Sequence, residues 1–174
     1  MPVAFLSLGS NIEPEKNIFN AVKLLSKYVK ILNSSSVYLA EPLIFKSQPK
    51  YFNCVLKIET DIAPYKLKFS VLRAIEKELG RKRVKNRYVP RTIDIDIILY
   101  GELSVSTKKL IIPDQEIQKR EFLAIPLFEL EPDLLLPNTR KTIKEVANRF
   151  KNPKIVVLKD FTITLQHYIK NLIK

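Results

Sequence analysis

The 174-residue sequence predicts an α+β fold, in which a central, mostly antiparallel sheet is flanked by helices. Three observations support this prediction. The β-rich runs alternate with two amphipathic stretches, the elements follow the order β-α-β-β-α-β with additions, and Pro and Gly mark their ends. This order resembles that of a ferredoxin-like sandwich. Since 46% of the residues are hydrophobic and no linker interrupts them, we expect a single domain over residues 1–174.

The first half of the chain contains a strand, a helix and two further strands. Residues 3–8 (VAFLSL) form a β-rich run that ends at Gly9. Pro14 suits the first turn of a helix. A single apolar stripe follows it at helical spacing, formed by Ile18, Val22, Leu25 and Val29. Residues 34–40 and 51–60 predict the next two strands, which are joined by a loop between two prolines.

The second helix begins at Pro64 and ends where Gly80 supplies the left-handed residue that closes many helices. Its apolar face is formed by Leu67, Val71, Leu72, Ile75 and Leu79. A strand then runs from Ile93 to Tyr100, and Gly101 begins a hairpin turn that leads into a short return strand. The remaining expected elements are helices over 120–130, interrupted at Pro126, and over 141–150, and strands over 155–158 and 161–165.

The composition excludes several classes of site. A single Cys (Cys54) excludes a disulfide framework or a Cys-rich zinc site, and a single His (His167) argues against a His metal cluster. No run approaches the roughly 18 apolar residues of a membrane span, and the N-terminus lacks a basic stretch followed by an apolar core. We therefore expect a cytoplasmic protein without a membrane partner, as a monomer or weak homo-oligomer.

The formal net charge of +12 is concentrated in two segments. Residues 81–91 hold six cations and no acid, and residues 140–174 hold nine cations and two acids. A nucleic-acid binder more often spreads its cations over a face. The compact cluster at 81–91 instead favours a small, highly charged anion, although a solvated charge run would have the same composition.

The most informative stretch is PRTIDIDIILYG, at residues 90–101. In a strand, Asp94 and Asp96 point to the same side, roughly 6–7 Å apart. Two such carboxylates suit a pair of Mg²⁺ ions, which take oxygen ligands and keep substrate phosphates in their shell. Alone, the pattern also fits the exposed face of an edge strand. The six cations before it favour a polyphosphate site, in which Arg side chains stabilise charge developing in the transition state.

A second cluster, at residues 48–55, has the composition of a site for a planar heterocycle. In a strand, Tyr51 and Asn53 share a face, where one offers a flat stacking surface and the other a paired donor and acceptor. Phe122 is a candidate for a second stacking surface. The alternative is an ordinary core Tyr, an Asn satisfied by the backbone and a core Phe.

Taken together, these segments resemble the 6-hydroxymethyl-7,8-dihydropterin pyrophosphokinase family of folate biosynthesis. The resemblance covers residues 3–137 and rests on FLSLGSN, SSVY…EPL…QPKYFN, IEKELGR, RYVPRTIDIDIILYG and LIIP…KREFLAIPLFELEP. It implies a ferredoxin-like fold, two Mg²⁺ ions, and transfer of pyrophosphate from ATP to the pterin hydroxymethyl group with release of AMP. Residues 140–174 then form a basic C-terminal extension packed on this catalytic region.

The resemblance also implies a role for each matching residue. The metal ligands are Asp94 and Asp96, and the catalytic groups are these two together with Arg81 and Arg91. The residues expected to bind ATP are Arg73, Glu76, Arg83, Arg87, Arg91, Ile97, Lys109, Ile111, Asp114 and Arg120. The residues expected to bind the pterin are Ala40, Pro42, Leu43, Tyr51, Asn53, Tyr88 and Phe122.

The sequence departs from the family pattern at two informative places. Val89 stands where the signature has Gly or Ala, and Asp114 stands where a His usually meets phosphate. A carboxylate there repels a triphosphate unless Arg73, Lys109 or a metal offsets it, so a family member with altered nucleotide preference is one alternative. A non-catalytic RNA-binding module is another, but with only three glycines no Gly-containing RNA-binding motif is present, and we expect no nucleic-acid partner.

Overall fold

The computed structural model describes residues 1–86 and 88–173, which fold around one sheet. The strands are β1 (Val3–Ser10), β2 (Lys30–Ser34), β3 (Tyr38–Ala40), β4 (Tyr51–Glu59), β5 (Asp94–Tyr100), β6 (Val105–Ser106), β7 (Ile111–Ile112) and β8 (Val156–Val157). The helices are α1 (Pro14–Leu25), α2 (Pro64–Lys66), α3 (Arg73–Glu78), α4 (Glu121–Leu130), α5 (Ile143–Ala147) and α6 (Lys159–Ile173). The sheet order is β5-β1-β4-β3-β8, with β2 also paired to β4, and the pairings are antiparallel. The predicted ferredoxin-like sandwich is thereby confirmed.

Strand β1 lies in the middle of the sheet and pairs with β4 on one side and β5 on the other. Gly9 is opposite Asn53 of β4 and opposite Asp94 of β5, and Ser7 is opposite Asp96. Because residues directly opposite each other in a ladder point to the same face, this register brings two carboxylates and an amide together at one end of the sheet.

Two hydrophobic cores cover the two faces of the sheet. On one face α1, the helical run from Pro64 to Glu78 and α6 pack on alternate residues of β1, β4 and β5. On the other face α4 and α5 pack on Phe5, Val55 and Ile98. Helices α4 and α5 cover less of their face of the sheet, and the end that carries the paired carboxylates is left open.

The helical run from Pro64 to Glu78 contains a π-helical segment at Leu67–Leu72. A π-helix has hydrogen bonds from i to i+5, which fits one extra residue into a turn and changes the direction of the side chains that follow. Leu67, Val71 and Leu72 are buried in the core, whereas Lys68 is half-buried on the side of the open sheet end. The helical run ends just before Gly80, as predicted, and Gly80 has the left-handed φ of 80°.

The C-terminal segment packs on the outer strands of the sheet. Strand β8 pairs with β3, and Gln166 donates to the Ser34 carbonyl oxygen at 3.0 Å. The prediction of a strand over residues 161–165 is wrong, because these residues lie in α6. The alternation of FTITL also fits a helix in which Thr162, Leu165 and Ile169 are buried at helical spacing.

Three other boundaries differ from the predictions. The strand expected over 34–40 is present only at its end, as β3, and β2 lies before it and was not predicted; between the two, the Ser35 hydroxyl accepts from Val55 N at 2.9 Å. The strand after Gly101 pairs with β7 and not with β5. Pro126 lies inside α4 and does not interrupt it. Among the described residues, no helix has the length and apolar character needed to cross a bilayer.

Candidate active site

The open end of the sheet is the floor of a cleft of about 780 Å³. Its walls come from the loop 41–50, the π-helical segment, the basic loop 81–91 and the start of α4. Seventeen of the residues predicted from the sequence line it: Ala40, Pro42, Leu43, Tyr51, Asn53, Arg73, Glu76, Arg81, Arg83, Tyr88, Arg91, Asp94, Asp96, Lys109, Asp114, Arg120 and Phe122.

Two further predicted site residues, Ile97 and Ile111, are described by the structure and do not line the cleft. The Ile97 side chain is 3% exposed and belongs to the core on the opposite face of the sheet. Ile111 is exposed on β7 and is not part of the cleft wall. Arg87 lies outside the described residues. An ATP contact by Ile97 therefore requires its main chain, and the roles of all three stay predictions.

Asp94 and Asp96 are both paired with protein cations. Asp94 accepts hydrogen bonds from Arg81 Nη1 at 2.5 Å and from Arg91 Nη1 at 2.6 Å, one on each carboxylate oxygen. Lys68 Nζ lies 3.4 Å from Asp96 Oδ1. The two acids thus point into the same cleft from one strand, as the alternation of β5 predicted, and each is paired with different cations.

Glu76 organises the base of the basic loop. Its side chain is almost fully buried and forms ion pairs with Arg81 and with Arg83, the latter at 2.5 Å. It also accepts from the backbone N–H of Ile95 at 2.9 Å, so it joins α3 to β5 between the two aspartates. A buried carboxylate is stable only with such partners, and these fix the position of Arg81.

The pKa of Asp96 is raised to about 6. Burial is the main cause, followed by the negative charge of Asp94 and, with a smaller effect, of Glu76 and Asp114, while Lys68 acts in the opposite direction. The Asp96 side chain still keeps 43% of its surface open to the cleft, so water there moderates the effect. The two aspartates are held closer than two unshielded carboxylates prefer, which favours a bound cation.

The donor set fits a hard divalent cation. Within residues 1–86 and 88–173, no group of three or more His, Cys, Asp and Glu side chains is placed to hold a metal ion. The protein therefore offers two neighbouring carboxylates and leaves the other coordination positions to water and substrate. Mg²⁺ binds in this manner, through one or two carboxylates and phosphate oxygens.

The other half of the cleft offers a flat, partly apolar surface. Tyr51 and Asn53 lie on one face of β4, and Phe122 lies across the cleft at the start of α4. A Cβ at Gly9 would lie 3.0 Å from Asn53 Oδ1, closer than side chains normally approach. Glycine at this position therefore leaves the room in which the Asn53 amide faces the cleft.

Two loops over the cleft are held at their base by Asn11. Its Oδ1 accepts from Arg91 N at 2.8 Å, and its Nδ2 donates to the Pro49 carbonyl oxygen at 3.2 Å. Further out, Gln48 donates to the backbone carbonyl oxygen of Tyr88. The loop 41–50 and the basic loop are therefore fixed relative to each other by the end of β1.

Twelve residues that line the cleft are not among the predicted site residues: Ser7, Leu8, Gly9, Glu41, Ile44, Phe45, Gln48, Cys54, Lys68, Ile95, Glu116 and Leu123. Glu116 pairs with Arg120 at 2.7 Å. The spacing of four residues between Glu116 and Arg120 is typical of an ion pair on a helical turn and could have predicted this contact. Lys68, in the π-helical segment, had no such signal.

Comparison with known proteins identifies relatives of this chain. Residues 5–132 match the model of the family 7,8-dihydro-6-hydroxymethylpterin-pyrophosphokinase. A 2-amino-4-hydroxy-6-hydroxymethyldihydropteridine pyrophosphokinase of Haemophilus influenzae is 39% identical over 161 residues, which is 91% of this chain and 99% of that protein. The enzyme of the same name from Aquifex aeolicus is 37% identical over 146 residues, which is 83% of this chain and 90% of that protein.

Other relatives are longer proteins. A folic acid synthesis protein of Pneumocystis carinii is 40% identical over 80% of this chain, which spans only 19% of it. A crystal structure of a Plasmodium falciparum HPPK-DHPS with pteroate matches with a TM-score of 0.71 and 14% identity, over 86% of this chain and 42% of that one. This structural match shows a shared fold.

Proposed function

The chain belongs to the 7,8-dihydro-6-hydroxymethylpterin-pyrophosphokinase family, and we propose that its cleft transfers pyrophosphate from ATP to 6-hydroxymethyl-7,8-dihydropterin in folate synthesis. The observation that carries this proposal is the row formed by Asp94, Gly9 and Asn53 across three strands. The row supports a phosphate-handling end at Asp94 and a heterocycle-binding end at Asn53, two strands apart on one floor.

The pterin end is formed by stacking surfaces and an amide. We place the planar ring between Tyr51 and Phe122, with the Asn53 amide facing its polar edge. Ala40, Pro42 and Leu43 lie beside it at the end of β3, and Tyr88 reaches it from the basic loop. Such a slot orients the hydroxymethyl group toward the two aspartates, and this orientation alone removes much of the entropic barrier.

The nucleotide end is formed by acids and cations. Asp94 and Asp96 would hold two Mg²⁺ ions, which when bound neutralise phosphate oxygens and acidify the hydroxymethyl group. The hydroxymethyl oxygen forms a bond to the β-phosphorus of ATP, and the bond from this phosphorus to the oxygen shared with the α-phosphorus breaks, so that AMP leaves. Arg81 and Arg91, already directed at Asp94, lie where they can stabilise the charge that develops on these oxygens.

The basic loop has a second role in this scheme. Residues 81–91 carry six cations, of which Arg81, Arg83 and Arg91 line the cleft. Closing of this loop over the nucleotide would exclude the water that otherwise hydrolyses ATP. Arg73, Arg83, Lys109 and Arg120 extend the positive surface along the cleft. Residues 3–137 would thus form the catalytic region, with residues 140–174 as an extension packed on it in one domain.

The decisive test is a reaction of ATP, Mg²⁺ and the hydroxymethyl-dihydropterin, in which AMP and not ADP should appear. Asp94→Ala and Asp96→Ala should nearly abolish AMP formation, and calorimetry should show weaker Mn²⁺ binding without nucleotide. Asp133→Ala, an exposed carboxylate away from the cleft, is the matched control. Formation of ADP would refute the reaction, and normal turnover in both variants would refute the metal site.

A further inference from the structure

Lys68 is a cation of the cleft that the mechanism above does not use. It lies in the π-helical segment, its side chain is 26% exposed, and its ammonium group is 3.4 Å from Asp96. Lys66, two residues earlier on the same helical run, is exposed outside the cleft. Residues two positions apart on a helical run point to roughly opposite sides, and of these two lysines it is Lys68 that lines the cleft.

Asp114 lies in the same cleft without a cation in direct contact. Within the described residues it forms no ion pair, and its Oδ1 accepts from the backbone N–H of Glu116 at 2.8 Å. A carboxylate in this place repels a polyphosphate that enters beside Asp96. Two cations act on it electrostatically, Lys68 and Lys119. Lys119 is exposed and paired with Glu116 at 3.3 Å, so Lys68 is the cation of the two that lines the cleft.

We propose that Lys68 is a nucleotide-binding residue, whose ammonium group pairs with Asp96 in this structure and offsets Asp114 when the triphosphate enters. The inference rests on the proposed function, because it takes ATP as the ligand of this end of the cleft. The proposed step is the exchange of one cation for another at the Asp96 carboxylate. With Asp96 holding a divalent cation, the Lys68 ammonium group would leave the carboxylate and be available to phosphate oxygens beside Asp114.

Binding of α,β-methylene-ATP with Mg²⁺, measured by calorimetry, tests the role of Lys68. Lys68→Met should weaken binding about tenfold, whereas Lys68→Arg should lose far less because it keeps the charge. Lys66→Met is the matched control and should bind like the unaltered chain. Urea denaturation of each variant excludes loss of folding. Equal affinity of Lys68→Met and the unaltered chain would overturn the inference.

A double-mutant cycle tests the link to Asp114. Asp114→Asn alone should tighten analogue binding, and in its presence the loss caused by Lys68→Met should shrink to about threefold or less. The same tenfold loss in both backgrounds would overturn the assigned coupling. If the unaltered chain neither binds the analogue nor forms AMP, the proposed function fails, and the inference fails with it.

A readout without nucleotide tests the pairing with Asp96. Lys68→Met should bind Mn²⁺ several-fold more tightly than the unaltered chain, because the ammonium group no longer competes for the carboxylate. Lys66→Met should leave Mn²⁺ affinity unchanged. Unchanged or weaker Mn²⁺ binding by Lys68→Met would overturn the proposed exchange at Asp96.

Discussion

Replacing Glu76 separates its two structural roles. Glu76→Gln keeps an acceptor for the Ile95 N–H but removes the charge that Arg81 and Arg83 share. A hydrogen bond to a charged group stabilises by about 1.5–3 kcal/mol and a neutral one by about 0.5–1.5 kcal/mol, so the Arg81 contact loses about 1 kcal/mol. Arg83 is 54% exposed, and its pair adds about 0–1 kcal/mol. We expect Glu76→Gln to lower the free energy of unfolding by about 1–2 kcal/mol.

Glu76→Ala also leaves the buried Ile95 N–H without an acceptor, which costs about 1–3 kcal/mol more. Urea denaturation followed by circular dichroism measures both variants. Each kcal/mol should also lower Tm by about 2–4 °C in a chain of this length. Glu78→Gln, exposed on the same helix, is the control and should stay within about 0.5 kcal/mol of the unaltered chain. Equal destabilisation by Gln and Ala would refute the assigned role of the Ile95 hydrogen bond.

Three further predictions concern the cleft. Arg91→Ala should lower kcat more than it weakens pterin binding, measured by AMP formation and by pterin fluorescence, and the reverse order would reject its role in the transition state. Gly9→Ala should weaken pterin binding about tenfold with little loss of stability, since the new Cβ displaces the Asn53 amide, and unchanged pterin affinity would contradict the role given to Asn53. The pKa of Asp96 near 6 predicts that Mn²⁺ affinity of the nucleotide-free chain falls as the pH drops through 6, because the metal needs the ionised carboxylate. Because that pKa is raised, the folded chain binds the proton more tightly than the unfolded one. The free energy of unfolding without metal should therefore fall as the pH rises from 3.8 to about 6, and a pH profile identical to that of Asp96→Asn would contradict this.

The placements in the cleft that the residues alone predict, without the family resemblance, are those fixed by local periodicity. Strand alternation alone places Asp94 with Asp96 and Tyr51 with Asn53, since the period of two holds wherever the backbone is extended. These two pairs of residues meet in one cleft because β1 pairs with both β4 and β5, and local patterns do not indicate which strands pair. The pairing of Gly9 with Asn53 on one side and with Asp94 on the other brings them together. The family resemblance predicted this arrangement only through the order of the motifs.

The errors arose where two conformations share one pattern. The five residues FTITL alternate in hydrophobicity, yet they also place Thr162 and Leu165 on one helical face, and so short a run cannot distinguish the two. Lys68 shows a second limit. It lies in the π-helical segment Leu67–Leu72, and apolar spacing does not reveal a change from i+4 to i+5 bonding.

The central position of β1 has a consequence for how the protein folds and opens. The row through Asp94, Gly9 and Asn53 draws on three strands separated by more than 40 residues of sequence at each step. The site needs all three strands in place, and non-local contacts of this kind are slow to form. A ligand seated on the row joins all three strands, and its binding energy adds to the stability of the whole sheet. Bound substrate should therefore slow amide exchange in the strands themselves, well beyond the loops that it touches.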